Sequence, residues 1–94
     1  MVNHPFKETL VSDGLVKTVI RRFSESLDDS SLKWHWDDDN RILHAIHNTD
    51  WMFQFDNMLP QPITGSIAIP KGTWHRIIKG HGDLEVIVEK MKDI

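Results

Sequence analysis

A chain of 94 residues holds one domain, because two would each lack an interior of their own. Its 14 acidic residues outnumber its 11 basic ones for a formal charge of −3, which excludes the basic footprint of a nucleic-acid binder. With no cysteine there is neither a disulfide framework nor a thiolate site, so the cytoplasm is the expected setting. The N-terminus lacks the basic and apolar regions of a leader, and no apolar run is long enough to span a membrane.

Along the chain the apolar period is mostly two, the signal of strands with one buried face. The first ten residues and the last three or four are expected to fray, leaving a core over about residues 15–91. Residues 16–23 form the first strong run, and the polar stretch 24–31 is a loop or a single helical turn. Residues 32–36 lead into an acidic turn over 37–40, a further strand follows over 41–47, and Asn48, Thr49 and Asp50 turn the chain by bonding locally to the backbone. Over 51–55, Trp51, Phe53 and Phe55 share one face, with Met52 and Gln54 on the other. Residues 56–64 hold two prolines and read as a loop. Runs at 66–69, 74–78 and 84–91 complete about seven short strands, the pattern of an antiparallel sandwich or barrel with no internal repeat.

The most informative stretch is 65–75, Gly-Ser-Ile-Ala-Ile-Pro-Lys-Gly-Thr-Trp-His. Gly65 permits a positive-φ turn, Ile67 and Ile69 alternate as in a half-buried strand, and Pro70 ends it because it has no N–H for the ladder. The Lys71-Gly72 turn then restarts a β-prone run with His75 near its beginning. This order resembles the second motif of the cupins. Upstream, Trp34-His35-Trp36-Asp37-Asp38-Asp39-Asn40-Arg41 is similar to their first motif in part. His35 falls on its first histidine, Asp37 on its second, and Arg41 about where a glutamate belongs. The resemblance covers residues 32–88. It implies an all-β, cupin-type antiparallel barrel of jelly-roll kind, and often a homodimer, which suits a small chain that buries only roughly 60 to 65% of its extended surface.

The resemblance also brings His35, Asp37 and His75 together as a 2-His-1-carboxylate set, suited to Fe, Mn, Ni or Zn and leaving coordination positions open. Arg41 opposes this, since a guanidinium cannot bind metal and repels a cation. Turned inward and paired with Asp37, the geometry favoured by the tight turn of 38–40, it would leave a metal-free pocket that holds an anion. Turned outward it frees Asp37 as a ligand. Arg41, Gln54 and His75 are the candidate ligand-binding residues. Gln54 is included because an amide opposite the aromatic face needs a polar partner. Arg76 should face away from His75, Trp34 or Trp74 should be buried in the barrel or in a dimer, and the spacing of His44, His47 and His81 ties them to no cluster.

No phosphate loop, calcium loop or activated nucleophile is present, so any catalysis falls to a metal or to His75, and no catalytic residue is assigned. Two function classes follow. One is a metal-dependent enzyme acting on a small polar or carboxylated metabolite. The other is a metal-free binding, sensing or protein-interaction module. Neither calls for a nucleic acid or a membrane as partner.

Overall fold

The computed structural model describes residues 4–92. Eight strands form: β1 (Lys7–Asp13), β2 (Val16–Phe23), β3 (Asn40–Ala45), β4 (Met52–Phe55), β5 (Gln61–Pro62), β6 (Ser66–Ile69), β7 (His75–Ile78) and β8 (Leu84–Met91). A 3-10 turn at Asp29–Ser31, capped by the Asp28 carboxylate accepting from Ser30 N, is the single turn expected in the polar stretch. One sheet runs β1-β2-β8-β3-β6 and the other β5-β4-β7, with every pairing antiparallel. Among the described residues no helix is long and apolar enough to cross a membrane.

The two sheets close on the alternate residues their strands turn inward. Val19 and Phe23 of β2, Leu43 of β3, Phe53 of β4, Ile67 and Ile69 of β6, and Leu84, Val86 and Val88 of β8 make the core together with Trp51 and Ile63. Trp51 is fully enclosed and spends its one polar atom on a bond from Nε1 to the Gly82 carbonyl at 3.0 Å, so burying the indole strands no donor. Removing Phe53 from water contributes roughly 1.5–3 kcal/mol.

Four expectations differ from the structure. Residues 7–13, expected within or beside a frayed end, form an edge strand; all seven are exposed, so no apolar alternation announces it, and its backbone pairing with β2 and the Glu8–Arg21 contact hold it. Expected fraying at residues 1–3 and 93–94 lies outside the described residues. Within the proline-containing loop, Gln61–Pro62 adds a two-residue strand against β4. Residues 32–36 form no strand, and their one backbone pairing with the sheet among the described residues is a bridge between His35 and His75. Trp34 and Trp74 are not barrel residues either, being 38% and 48% exposed; Trp51 is the tryptophan of the core.

Candidate metal centre

Backbone contacts from three segments assemble the centre. The bridge of His35 to His75 is reciprocal, with His35 N donating to His75 O at 3.0 Å and His75 N to His35 O at 2.9 Å. The turn after β6 grips the acidic loop, since Gly72 N donates to Asp37 O at 2.9 Å and Lys71 N to the Asn40 side chain at 2.8 Å. Gly72 stands at φ +77°, a conformation that favours glycine, and this turn is why the Pro-Lys-Gly sequence matters to the centre. His75 opens β7 opposite Phe55, and its ring stacks on Phe53 with centroids 5.5 Å apart and planes at 20°.

The result is a cluster in which one atom each of His35, Asp37 and His75 lies within 4.8 Å of the others. His75 Nε2 stands 3.2 Å from Asp37 Oδ2, and His35 Nε2 3.9 Å from Asp37 Oδ1. Both imidazoles have their other nitrogen committed. His75 Nδ1 is 2.7 Å from Thr73 O and His35 Nδ1 is 2.9 Å from Lys33 O. A carbonyl only accepts, so each Nδ1 carries hydrogen, and in the neutral ring Nε2 presents a lone pair. Asp37 Oδ2 is buried and lacks a hydrogen-bond partner among the described residues. Two lone pairs and a carboxylate therefore converge with no proton among them unless an imidazole is charged. Cis ligands about a first-row metal at roughly 2.1 Å stand about 3 Å apart, so the His75–Asp37 spacing fits as it is. His35, whose side chain is half exposed, has room to close the remaining gap.

Arg41 turns inward. Its Nη1 is 3.4 Å from Asp37 Oδ1, but its Nε donates to Asp39 at 2.5 Å, so Asp39 is its main partner. The inward orientation is the one the sequence favours; Arg41 approaches Oδ1 only, and Oδ2 has no hydrogen-bond partner among the described residues. Burial opposes ionisation of Asp37, but the His75 contact and the nearby Arg41 guanidinium outweigh it and hold the carboxyl below its usual range.

Gln54 does not reach this centre, which corrects its place as a ligand-binding residue. Its Oε1 accepts from Arg76 Nε at 2.9 Å and its Nε2 donates to Met58 O at 2.9 Å, both on the outer face. Gln54 and Arg76 are direct cross-strand partners and so share a face, while Phe53 and His75 point inward. Arg76 faces away from His75 as expected, and its guanidinium lies over Trp34 at 4.7 Å. His44, for which spacing offers no role, bonds Ser66 Oγ at 2.8 Å and the Glu89 carboxylate across the outside of the larger sheet.

The centre opens into a cavity of about 930 Å³. Besides the three candidate ligands and Arg41, its wall carries Arg21, Lys90 and Glu8, which the motif reading missed. Their signal was present: Arg21 shares a strand face with Val19 and Phe23, and Lys90 with Val86 and Val88.

Solved structures with similar folds include a cupin domain from Bordetella pertussis Tohama I, 15% identical, with 99% of each chain covered and a TM-score of 0.69. KdgF from Halomonas sp. is 13% identical over 99% of this chain and 86% of its own, with a TM-score of 0.72. The Fe(II) form of HppE is 12% identical over 92% of this chain and 50% of its own, with a TM-score of 0.69, so this chain spans about half of that protein. No family model matches the chain, and no curated protein matches it in sequence. The likenesses show the fold, an all-β barrel of the cupin type.

Proposed function

We propose that this cupin-fold chain binds a divalent metal through His35, Asp37 and His75 and acts as a metal-dependent enzyme on a small polar or carboxylated metabolite. The observation that carries the reading is the convergence of two imidazole lone pairs and a buried, unbonded carboxylate oxygen. A cation answers all three at once. Imidazole and carboxylate donors suit Fe, Mn, Ni or Zn, and the Fe(II) form of HppE shows that this fold accommodates such an ion elsewhere. The ion would supply Lewis acidity or oxygen activation.

The chain's own residues prepare the reaction space. Thr73 O and Lys33 O fix the orientation and tautomer of the two rings, Phe53 keeps water from behind His75, and Arg41 offers its remaining N–H groups to an anionic group of the metabolite. Elemental analysis of protein purified without a chelating tag tests the reading. One metal per chain, lost in His75→Ala with the barrel still folded, supports it, whereas unchanged metal content in that variant removes His75 from the centre.

A second reading rests on the 3.4 Å approach of Arg41 to Asp37. With His75 protonated, its Nε2–H would serve Oδ2, and the pocket would be a metal-free binding or sensing site. Metal-free protein that ignores added Mn(II) and Ni(II) would favour it. A homodimer pairing the exposed Trp34, Trp36 and Trp74 belongs to the same proposal, and a stable monomer by sedimentation at micromolar concentration would contradict it.

A further inference from the structure

The whole chain carries a net charge of −3, yet its cavity is lined by Arg21, Lys33, Arg41 and Lys90 against only two carboxylates, Glu8 and Asp37. Four cations stand against these two anions, and even with Asp39 set against Arg41 one positive charge is left over in the cavity of an acidic protein. Segregation of this kind concentrates anions.

Arg21 and Lys90 are the informative pair. They sit on neighbouring strands, facing inward, with side chains only 14% and 16% exposed. Arg21 is held rigidly: its Nε donates to Glu8 Oε1 at 2.8 Å, and its guanidinium lies 4.0 Å over the Phe6 ring. That arrangement uses one edge of the fork and leaves the terminal nitrogens, the end that grips a carboxylate with two parallel bonds. Lys90 has the same Glu8 oxygen at 3.9 Å, beyond a hydrogen bond. One carboxylate thus serves two half-buried cations, and one positive charge on the wall lacks a counter-charge. Burial and the charges of Arg21 and Arg41 push the Lys90 amine below its usual range, as expected of an ammonium short of a partner. A purely structural role for Arg21 needs only Glu8; it does not account for Lys90 beside it.

We infer that Arg21 and Lys90 form a second anion subsite on the sheet wall, and that the metabolite is a small dicarboxylate. One of its carboxylates meets the wall, and the other meets Arg41 and the His35–Asp37–His75 centre. The inference deepens the proposed function and rests on it for the second contact only. Glu8 orients Arg21 and keeps the empty wall from carrying two bare charges.

The test is calorimetric titration of metal-free and Co(II)-loaded protein with dicarboxylates from malonate to adipate, each against the monocarboxylate of equal carbon number. At one chain length the dicarboxylate is expected to bind at least tenfold more tightly, the worth of a charge-assisted bidentate pair. Arg21→Met and Lys90→Met should each erase most of that preference while leaving Co(II) stoichiometry unchanged. Arg21→Lys, which keeps the charge facing Glu8, makes the same test should Arg21→Met not fold: the fork is gone and the preference falls. Equal binding of both acid classes at every length, or variants that discriminate as the wild type does, would overturn the inference. Protein that takes up no Co(II) yet prefers a dicarboxylate refutes the metal reading and upholds the wall subsite. Protein that takes up Co(II) without that preference does the reverse.

Discussion

Replacing Arg41 by Gln should tighten metal binding, and the structure sets the scale. A metal about 2.1 Å from an Asp37 oxygen would stand about 5 Å from the guanidinium, given the 3.4 Å between Arg41 Nη1 and Asp37 Oδ1. At an effective dielectric of about 20, a unit charge and a divalent ion at that distance repel by about 6–7 kcal/mol. This is a ceiling, because Asp39 at 2.5 Å cancels much of the guanidinium's field and the side chain remains partly open to water. Removing Arg41 also leaves Asp39 as an uncompensated negative charge nearby, which pulls the same way. A net gain of about 1.4 to 2.8 kcal/mol is the reasoned outcome, or ten- to a hundredfold in affinity. Calorimetric titration of wild type and Arg41→Gln with Mn(II) or Ni(II), with circular dichroism to verify the fold, reads it directly. Equal or weaker binding by a folded variant would refute the argument, since Arg41 would then be outside the field of the ion or Asp37 would not be a ligand.

Other consequences concern the scaffold. Gly80→Ala would place a methyl 2.7 Å from Trp51 N and 2.8 Å from the Asp50 carbonyl carbon, both backbone atoms, so the segment that seats Trp51 must shift; a loss of about 1–3 kcal/mol in urea unfolding is expected, and no loss would contradict the packing. Phe53→Ala removes a fully buried ring from beneath His75 and should cost about 3–5 kcal/mol by the same measurement, with metal affinity falling as His75 loses its support. Partial desolvation opposes ionisation of Glu8 and Asp37, yet neighbouring cations hold both carboxyls below their ordinary values of 4.5 and 3.8. Their contribution is therefore complete above those values and is lost as pH falls through the lowered ones, so the urea midpoint should drop on acidification and drop less in Glu8→Gln. A midpoint independent of pH through that range would contradict both pairings.

The alternation of Val19 and Phe23, of Ile67 and Ile69, and of Leu84, Val86 and Val88 made three strands readable, because a buried face imposes period two. β1 was not readable, since a strand exposed at every residue has no such face and exists through its pairing with β2. The centre was legible as residue types at motif spacing, but not as chemistry: the bonds from His35 and His75 to carbonyls two residues back depend on loop path, not on composition. Gln54 shows the limit of alternation, which sorts residues into two faces without saying which is inside. The register, invisible in one strand's sequence, puts Gln54 on one face with Arg76, and the burial of Phe53 and His75 shows that the other face turns inward. Arg21 and Lys90 were overlooked for the opposite reason, as charges on apolar faces, where alternation alone would have put them in the cavity.

The central claim is that the Nε2 atoms of His35 and His75 point with Asp37 at one cation. Nitrogen-15 NMR of the histidine rings during a Zn(II) titration addresses those atoms individually. The account predicts that both Nε2 signals shift together and saturate at about one Zn(II) per chain, while both Nδ1 atoms keep their hydrogen. Zn(II) that binds without moving either Nε2 signal, or that moves Nδ1 instead, would contradict it.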